Sequence, residues 1–365
     1  MALPALKTRR PAARNGADSA VAREVQRQKL LSTRICDLDL EPKGVLSECL
    51  EQLADELRGN GVTFMPAFYL GDDDFWTTDR AISVNVPWYL ANPLVWGLVN
   101  DHLNEYSRTE VMMYLRHEAG HAINYAYELW RRKDWTQTFG DFRRPYRDVY
   151  SPNPWSRDYV RYLHRAGMYH YAQKHPDEDW AESFAVWLDP ESRWRRRYRD
   201  WQVALAKLEY VDRIIEVERA CRGPAPNLRP GSQSPYTEIR ETVAEYFDID
   251  HAVDPDLAEY RYDLMEIFPR RAASRVRNGR NPASTPNAQS AARFIQQHQR
   301  ILEHKLSGWI GNSDRRVIKR FLRQLQALCT HEHLVVPETR RNEKLVDLTI
   351  VATWHVVDGI HRLSG

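Results

Sequence analysis

The sequence predicts an α+β protein: a domain made of a small sheet and several helices, followed by a C-terminal helical appendage. Three observations predict it. Stretches of strand character occur only before residue 90, where Ile82, Val84 and Val86 alternate with Ser83 and Asn85. Most of the remaining chain places apolar residues at helical spacing. A basic stretch rich in Asn, Pro and Ser, residues 272–290, sets three amphipathic patterns apart at the C-terminal end.

With 365 residues, 42% of them hydrophobic, the chain can bury a full core. Its net charge of +2 implies no strong general attraction to nucleic acid or to a membrane. Cys36, Cys49, Cys221 and Cys329 lie far apart with no CxxC pair, which argues against a disulfide framework and a zinc ribbon and fits a cytoplasmic protein. Residues 1–34 are rich in Arg and Ala, with neither a secretion-type apolar core nor a run long enough to span a membrane. They read as a disordered basic arm leading into a short helix.

Residues 35–222 read as the main domain. A short strand is expected over Ile35–Leu40, then a helix carrying Val45, Leu46, Cys49, Leu50, Leu53 and Leu57 that closes at Gly59-Asn60-Gly61. An apolar strand from Val62 to Phe68, a turn at Gly71-Asp72-Asp73-Asp74 and a half-buried strand over residues 82–86 follow.

Ser107-Arg108-Thr109-Glu110 is a capping box, and Val111, Met112, Leu115, Ala119, Ala122 and Ile123 then recur at helical spacing. Inside this helix lies His117-Glu118-Ala119-Gly120-His121, an HExxH motif. Residues four apart share a helix face, so His117 and His121 can place two imidazole nitrogens on one zinc ion while Glu118 projects beside them as general base. A catalytic zinc needs a third protein ligand. Gly and His at 124 and 127 would supply the HExxHxxGxxH pattern, but Asn124 and Tyr127 stand there. Glu128 lies two turns beyond His121, roughly 10 Å along the axis, and residues 129–177 contain no glutamate.

The next glutamates are Glu178 and Glu182, in a second predicted helix with Pro176 at its first position, acids in its first turn and a stop at Asp189-Pro190. They share one face a turn apart. One can bind the metal while the other hydrogen-bonds a ligand histidine, and local sequence leaves the choice open.

At this point the residues show a resemblance. His117-Glu118-Ala119-Gly120-His121-Ala122-Ile123, followed by Tyr171-Ala172-Gln173-Lys174-His175-Pro176-Asp177-Glu178-Asp179-Trp180-Ala181-Glu182, resembles a zinc-binding metallopeptidase family of the anthrax-lethal-factor-like zincin superfamily. The likeness extends over roughly residues 35–270, through Ser83–Leu90, Phe139–Tyr146 and Trp194–Tyr198. It departs at Asn124, where relatives look acidic, and in having no N-terminal zinc ribbon. The resemblance implies a zincin-like catalytic domain and a Tyr-x6-Glu pair, with Tyr171 stabilising the oxyanion and Glu178 as third zinc ligand. Glu182 then falls where it can orient an imidazole. It also implies that the strand over 82–86 is the edge that pairs with an extended substrate. His170 and His175 are further candidates for the role of Tyr171.

Residues 131–160 read as a long loop dense in Arg, Tyr, Trp and Pro, either a lid over the site or a surface wrap. Arg193, Arg195, Arg196, Arg197 and Arg199 interleave with Trp194, Tyr198 and Trp201, a pattern used by nucleic-acid grooves and also by solvated helix faces. A scaffold helix over Trp201–Cys221 and a Pro/Gly break follow. A helical extension covers residues 236–270, and a helical module covers 291–365, suited to docking a protein partner or to self-association. Cys329, His331 and His333 lie close together without a fourth partner for a second metal. The leading expectation is a zinc-dependent hydrolase acting on a peptide or protein substrate. The alternatives are a zinc-containing regulatory or binding protein and a nucleic-acid-associated factor.

Overall fold

The computed structural model describes residues 24–363, apart from 104–105, 148–149, 164–167, 169, 222–224, 248, 250–257, 272–288 and 311–314. The expected basic arm and linker therefore lie outside the described residues, save for 24–34 and 289–290. The first half contains helix α1 (residues 24–31), α2 (Val45–Gly59), strands β1 (Ala67–Gly71), β2 (Trp76–Thr77) and β3 (Ser83–Pro87), and helices α3 (Pro93–Leu103), α4 (Arg108–Ala126) and α5 (Lys133–Phe139). Then come α6 (Pro176–Leu188), α7 (Trp194–Arg197), α8 (Gln202–Cys221), α9 (Val243–Phe247) and α10 (Ala258–Ile267). The C-terminal part holds β4 (Gln289–Ser290), α11 (Ala291–Ile310), α12 (Arg315–His331), β5 (Val335–Val336) and α13 (Arg341–Leu363).

Three sequence expectations about the strands need correction. Ile35–Asp37 is a 3-10 turn, because the Ile35 and Cys36 N–H groups bond the carbonyls of Glu241 and Ile239, partners some two hundred residues away that no local pattern reveals. The first strand starts at Ala67 rather than Val62 and runs into Gly71, since its register is set by parallel pairing with β3, from Ala67 opposite Ser83 to Gly71 opposite Pro87. β3 itself is the central strand, with β1 on one side and β2 antiparallel on the other, and all five of its residues are buried. Its polar residues hydrogen-bond inside: Asn85 Nδ2 donates to Asp72 Oδ1 (2.5 Å) and to the Asp74 carbonyl (2.6 Å), and Gln233 donates to Ser83 Oγ (2.7 Å). The edge strand beside the site is β2.

Two helices set the geometry of the centre. The capping box of α4 is present, with Glu110 N–H donating to Ser107 Oγ and Ser107 N–H to the Glu110 carboxylate. At α6, His175 Nδ1 accepts from the Asp177 N–H (3.2 Å) and Pro176 occupies the first turn. The helices pack closely at Gly120, whose carbonyl accepts from Trp180 Nε1 (2.8 Å). A Cβ at Gly120 would lie 3.1 Å from Ala181 Cα and from Phe184 Cβ. Gly120→Ala is therefore expected to push α4 and α6 apart, at a cost of about 1–3 kcal/mol, read as a lowered urea midpoint. An unchanged midpoint would show that the contact can relax.

Arg116 fixes the opposite side of α4. Its guanidinium binds both oxygens of Glu56 on α2 (2.8 and 2.6 Å), donates to Tyr162 Oη (2.9 Å) and lies 3.3 Å from Asp189 at the end of α6. The segment expected to be a loop after α4 contains α5, which packs Phe139 against Trp180 and Tyr210 and buries Trp135 against Phe139 and Phe142. Arg195 and Arg197 lie over the rings of Trp194 and Tyr198, which are buried.

The described residues form two hydrophobic clusters. The larger joins α1–α9 and the sheet; the smaller joins α10–α13, with Phe268, Phe294, Leu302, Leu322 and Leu348 inside. The three expected C-terminal helices are α11, α12 and α13, supplemented by the short antiparallel pair β4–β5. Val346, Ile350 and Trp354 stay exposed along α13. Among the described residues no helix is long and apolar enough to cross a membrane.

Candidate metal centre

His117 and His121 stand one turn apart on α4 and Glu178 lies in the first turn of α6, so the packing of two helices brings three donors to one point. His117 Nε2 is 3.2 Å from His121 Nε2, and Glu178 Oε2 is 3.0 and 3.3 Å from the two nitrogens. All three side chains are buried. Three donors of a tetrahedral ion at about 2.0–2.2 Å are spaced roughly 3.3–3.6 Å apart, so this triangle need open by only a few tenths of an ångström to hold zinc. Among the described residues it is the group of His, Cys, Asp and Glu side chains able to hold a metal. Cys329, His331 and His333 form no such group; His331 Nδ1 instead contacts Glu332.

The surroundings demand positive charge at this point. Asp177 Oδ2 lies 3.0 Å from His121 Nδ1, and Asp177 is held in turn by Asn124 Nδ2 (2.8 Å) and the Tyr125 hydroxyl. Glu182 Oε1 stands 3.5 Å from His117 Nδ1, while its oxygens accept the backbone N–H groups of Tyr162 (2.9 Å) and Leu163 (3.0 Å). Burial opposes a charged His117, yet Glu178 and Glu182 outweigh it and raise the imidazole to about 9. Burial likewise opposes charge on His121, and Asp177 and Glu178 lift it well above its ordinary value. For Glu178 burial pushes upward, but the two imidazoles hold it well below the usual carboxylate range. Protons and a metal cation therefore compete for the same donors.

Glu118 is placed beside the triangle by the edge strand. Thr77 Oγ1 donates to Glu118 Oε2 (2.7 Å) and to the Glu118 carbonyl (3.1 Å). Tyr171 opens a short 3-10 turn preceded by His170 in the left-handed region (φ +59°), and its ring centroid is 5.7 Å from that of His117. Tyr146, from the loop after α5, donates to Glu178 Oε1 (2.5 Å), and its hydroxyl is 3.3 Å from that of Tyr171. Burial and then Glu178 push both phenols above their ordinary value, so both keep their protons near neutrality. His175 lines the second cavity, but both its ring nitrogens are engaged, Nε2 with the Arg144 carbonyl (2.8 Å) and Nδ1 with the Asp177 N–H.

Two cavities of about 440 and 460 Å³ meet at the centre, and Phe75, Trp76, His117, Glu118, Tyr146 and Tyr171 line both. The structure thus gathers His117, Glu118, His121, Tyr171 and Glu178 at one cleft and sets Glu182 behind it. Sequence reasoning missed Thr77, which comes from another element with no spacing signal. It also missed Asp177 and the pair Asn124 and Tyr125; the latter stand three and four positions after His121, on its own helix face.

No curated protein and no solved structure matches the chain. Residues 91–207 match the model of the family described as "Putative zinc-binding metallo-peptidase". His117, Glu118, His121, Tyr171 and Glu178 all fall inside the matched residues, so over this stretch, about a third of the chain, the protein is similar to that zinc-binding family.

Proposed function

We propose that this protein is a zinc-dependent hydrolase of peptide or amide bonds, of the gluzincin type, with His117, His121 and Glu178 as metal ligands. The observation that carries the reading is the buried His–His–Glu triangle with Glu118 fixed at its rim and a cleft in front of it. Zinc held by these three residues would supply a Lewis acid for the scissile carbonyl and would make water more acidic at the site. Glu118 accepts the proton of the attacking water and passes it to the leaving amine; Thr77 keeps one carboxylate oxygen in place for this. Tyr171, protonated and lining the cleft, donates to the developing oxyanion, and Tyr146 stands next to it. β2 lies at the edge of the sheet and Trp76 lines both cavities, so an extended peptide can add to that edge through backbone hydrogen bonds. Cys36, Cys49 and Cys329 are free thiols, which suits the proposed cytoplasmic setting.

The test is metal analysis together with cleavage of a denatured protein mixture read by mass spectrometry. The full-length chain is expected to carry about one zinc, and a chelator should remove both metal and cleavage, with zinc restoring them. Absence of zinc from the isolated chain and from the reconstituted one would overturn the reading.

A further inference from the structure

The C-terminal bundle forms a wall of the cleft. α11 supplies His304, Lys305 and Ser307 to the 440 Å³ cavity, which Glu118 and Tyr171 also line. Ion pairs hold this wall in place. Arg300 of α11 pairs with Glu110 in the capping box of α4 and lies over the Tyr106 ring (4.9 Å), and Lys319 of α12 binds Asp73 (2.9 Å) in the turn before β2. The bundle is thereby tied to both elements that position Glu118.

Cationic and imidazole groups converge in this lobe from two directions. Lys174, 3% exposed, comes from the segment before α6 with its ammonium 4.2 Å from the Tyr146 ring centroid and 5.4 Å from that of Tyr171. His170 joins it on that side through its left-handed backbone, a conformation that costs energy in a residue with a side chain. Lys305 and His304 line the same lobe from α11. Two acids also line the lobe. Asp74 is engaged by the Tyr106 hydroxyl (3.1 Å) and the Phe75 N–H (3.0 Å), and Glu118 lies at the metal end. Burial first, and then Lys305, Lys174 and His170, push His304 down to about 4.

We propose that this lobe binds a carboxylate of the peptide substrate, either its terminal carboxylate or an acidic side chain, with Lys174 and Lys305 as the charged partners and His170 and His304 as hydrogen-bonding ones. The proposal rests on the peptide-hydrolase reading and narrows its substrate to peptides that present a carboxylate at the α11 side of the centre. A carboxylate is the anion a peptide itself carries, and an ammonium in a partly water-excluded cleft binds it more strongly than a neutral group would.

The experiment measures binding without turnover. Full-length zinc-loaded protein carrying Glu118→Gln is titrated with three fluorescent hexapeptides of otherwise neutral sequence. One has a free C-terminus, one is amidated and carries a single glutamate, and one is amidated and neutral. At least one carboxylate peptide is expected to bind about tenfold tighter than the neutral amide, and Lys305→Glu should remove that advantage. Lys305 is exposed, so the substitution should not unfold the chain; Lys305→Gln gives an intermediate loss. A tighter free-terminus peptide assigns the lobe to a terminal carboxylate, and a tighter glutamate peptide assigns it to a side chain. Equal binding of the three, no binding of any at millimolar concentration, or a preference that survives Lys305→Glu overturns the proposal. Failure of the wild-type chain to cleave any peptide bears instead on the hydrolase reading, because the preference is read with a variant that does not turn over.

Discussion

Glu118→Gln is expected to leave about one zinc per chain in place while lowering peptide cleavage by roughly 10²–10⁴, the range over which general acid–base groups contribute. The geometry separates these two outcomes. Glu118 is not one of the three converging donors; its Oε2 is engaged by Thr77 at the rim of the site. Glutamine keeps the size and can still accept the Thr77 hydroxyl, but it has no carboxylate to take a proton from water. A fall in kcat at nearly constant KM would show a group used in the transition state rather than in binding. Loss of zinc from this variant would assign the carboxylate to the metal instead.

The second large effect is at Glu178, and it is informative through comparison with its two acidic neighbours. Glu178→Ala removes the only carboxylate oxygen in the donor triangle, so zinc binding and cleavage should both fall by more than about 100-fold, beyond what loss of a supporting hydrogen bond produces. Asp177→Asn should lower zinc affinity by about 10–100-fold, because Asp177 contacts the rear nitrogen of His121 and is itself held by Asn124 and Tyr125. Glu182→Gln should act mainly on stability. Its two oxygens take the N–H groups of Tyr162 and Leu163, and leaving one of these buried donors unsatisfied costs about 1–3 kcal/mol. Metal titration and urea unfolding of the three variants check the order. Should Glu182→Gln lose zinc while Glu178→Ala retains it, the ligand assignment is reversed.

What was legible in the sequence is what a single segment determines by itself. The capping box at Ser107, the apolar spacing of α4 and the i,i+4 placement of His117 and His121 are consequences of helix geometry, and so are Pro176 and the acids that open α6. The three C-terminal helices were equally legible, because each carries its own amphipathic period. Strands were harder. Residues 82–86 show their alternation, but a polar Asn85 reads as solvent-facing until Asp72 and the Asp74 carbonyl are brought beside it, and only then is β3 a buried central strand. The helix of residues 133–139 was hidden in a segment whose aromatic content spoke of packing without saying against what.

Tertiary structure alone decided everything that depends on two distant segments meeting. It set the spacing of the donor triangle through the close approach at Gly120, chose Asp177 as the group behind His121, and brought Thr77 from the edge strand to Glu118. It also turned the C-terminal bundle from an appendage into a wall of the cleft, by pairing Arg300 with Glu110 and Lys319 with Asp73. The physical reason is the same in each case: backbone periodicity and capping act over a few residues, whereas distances between side chains on different elements are set by how the helices and sheet pack.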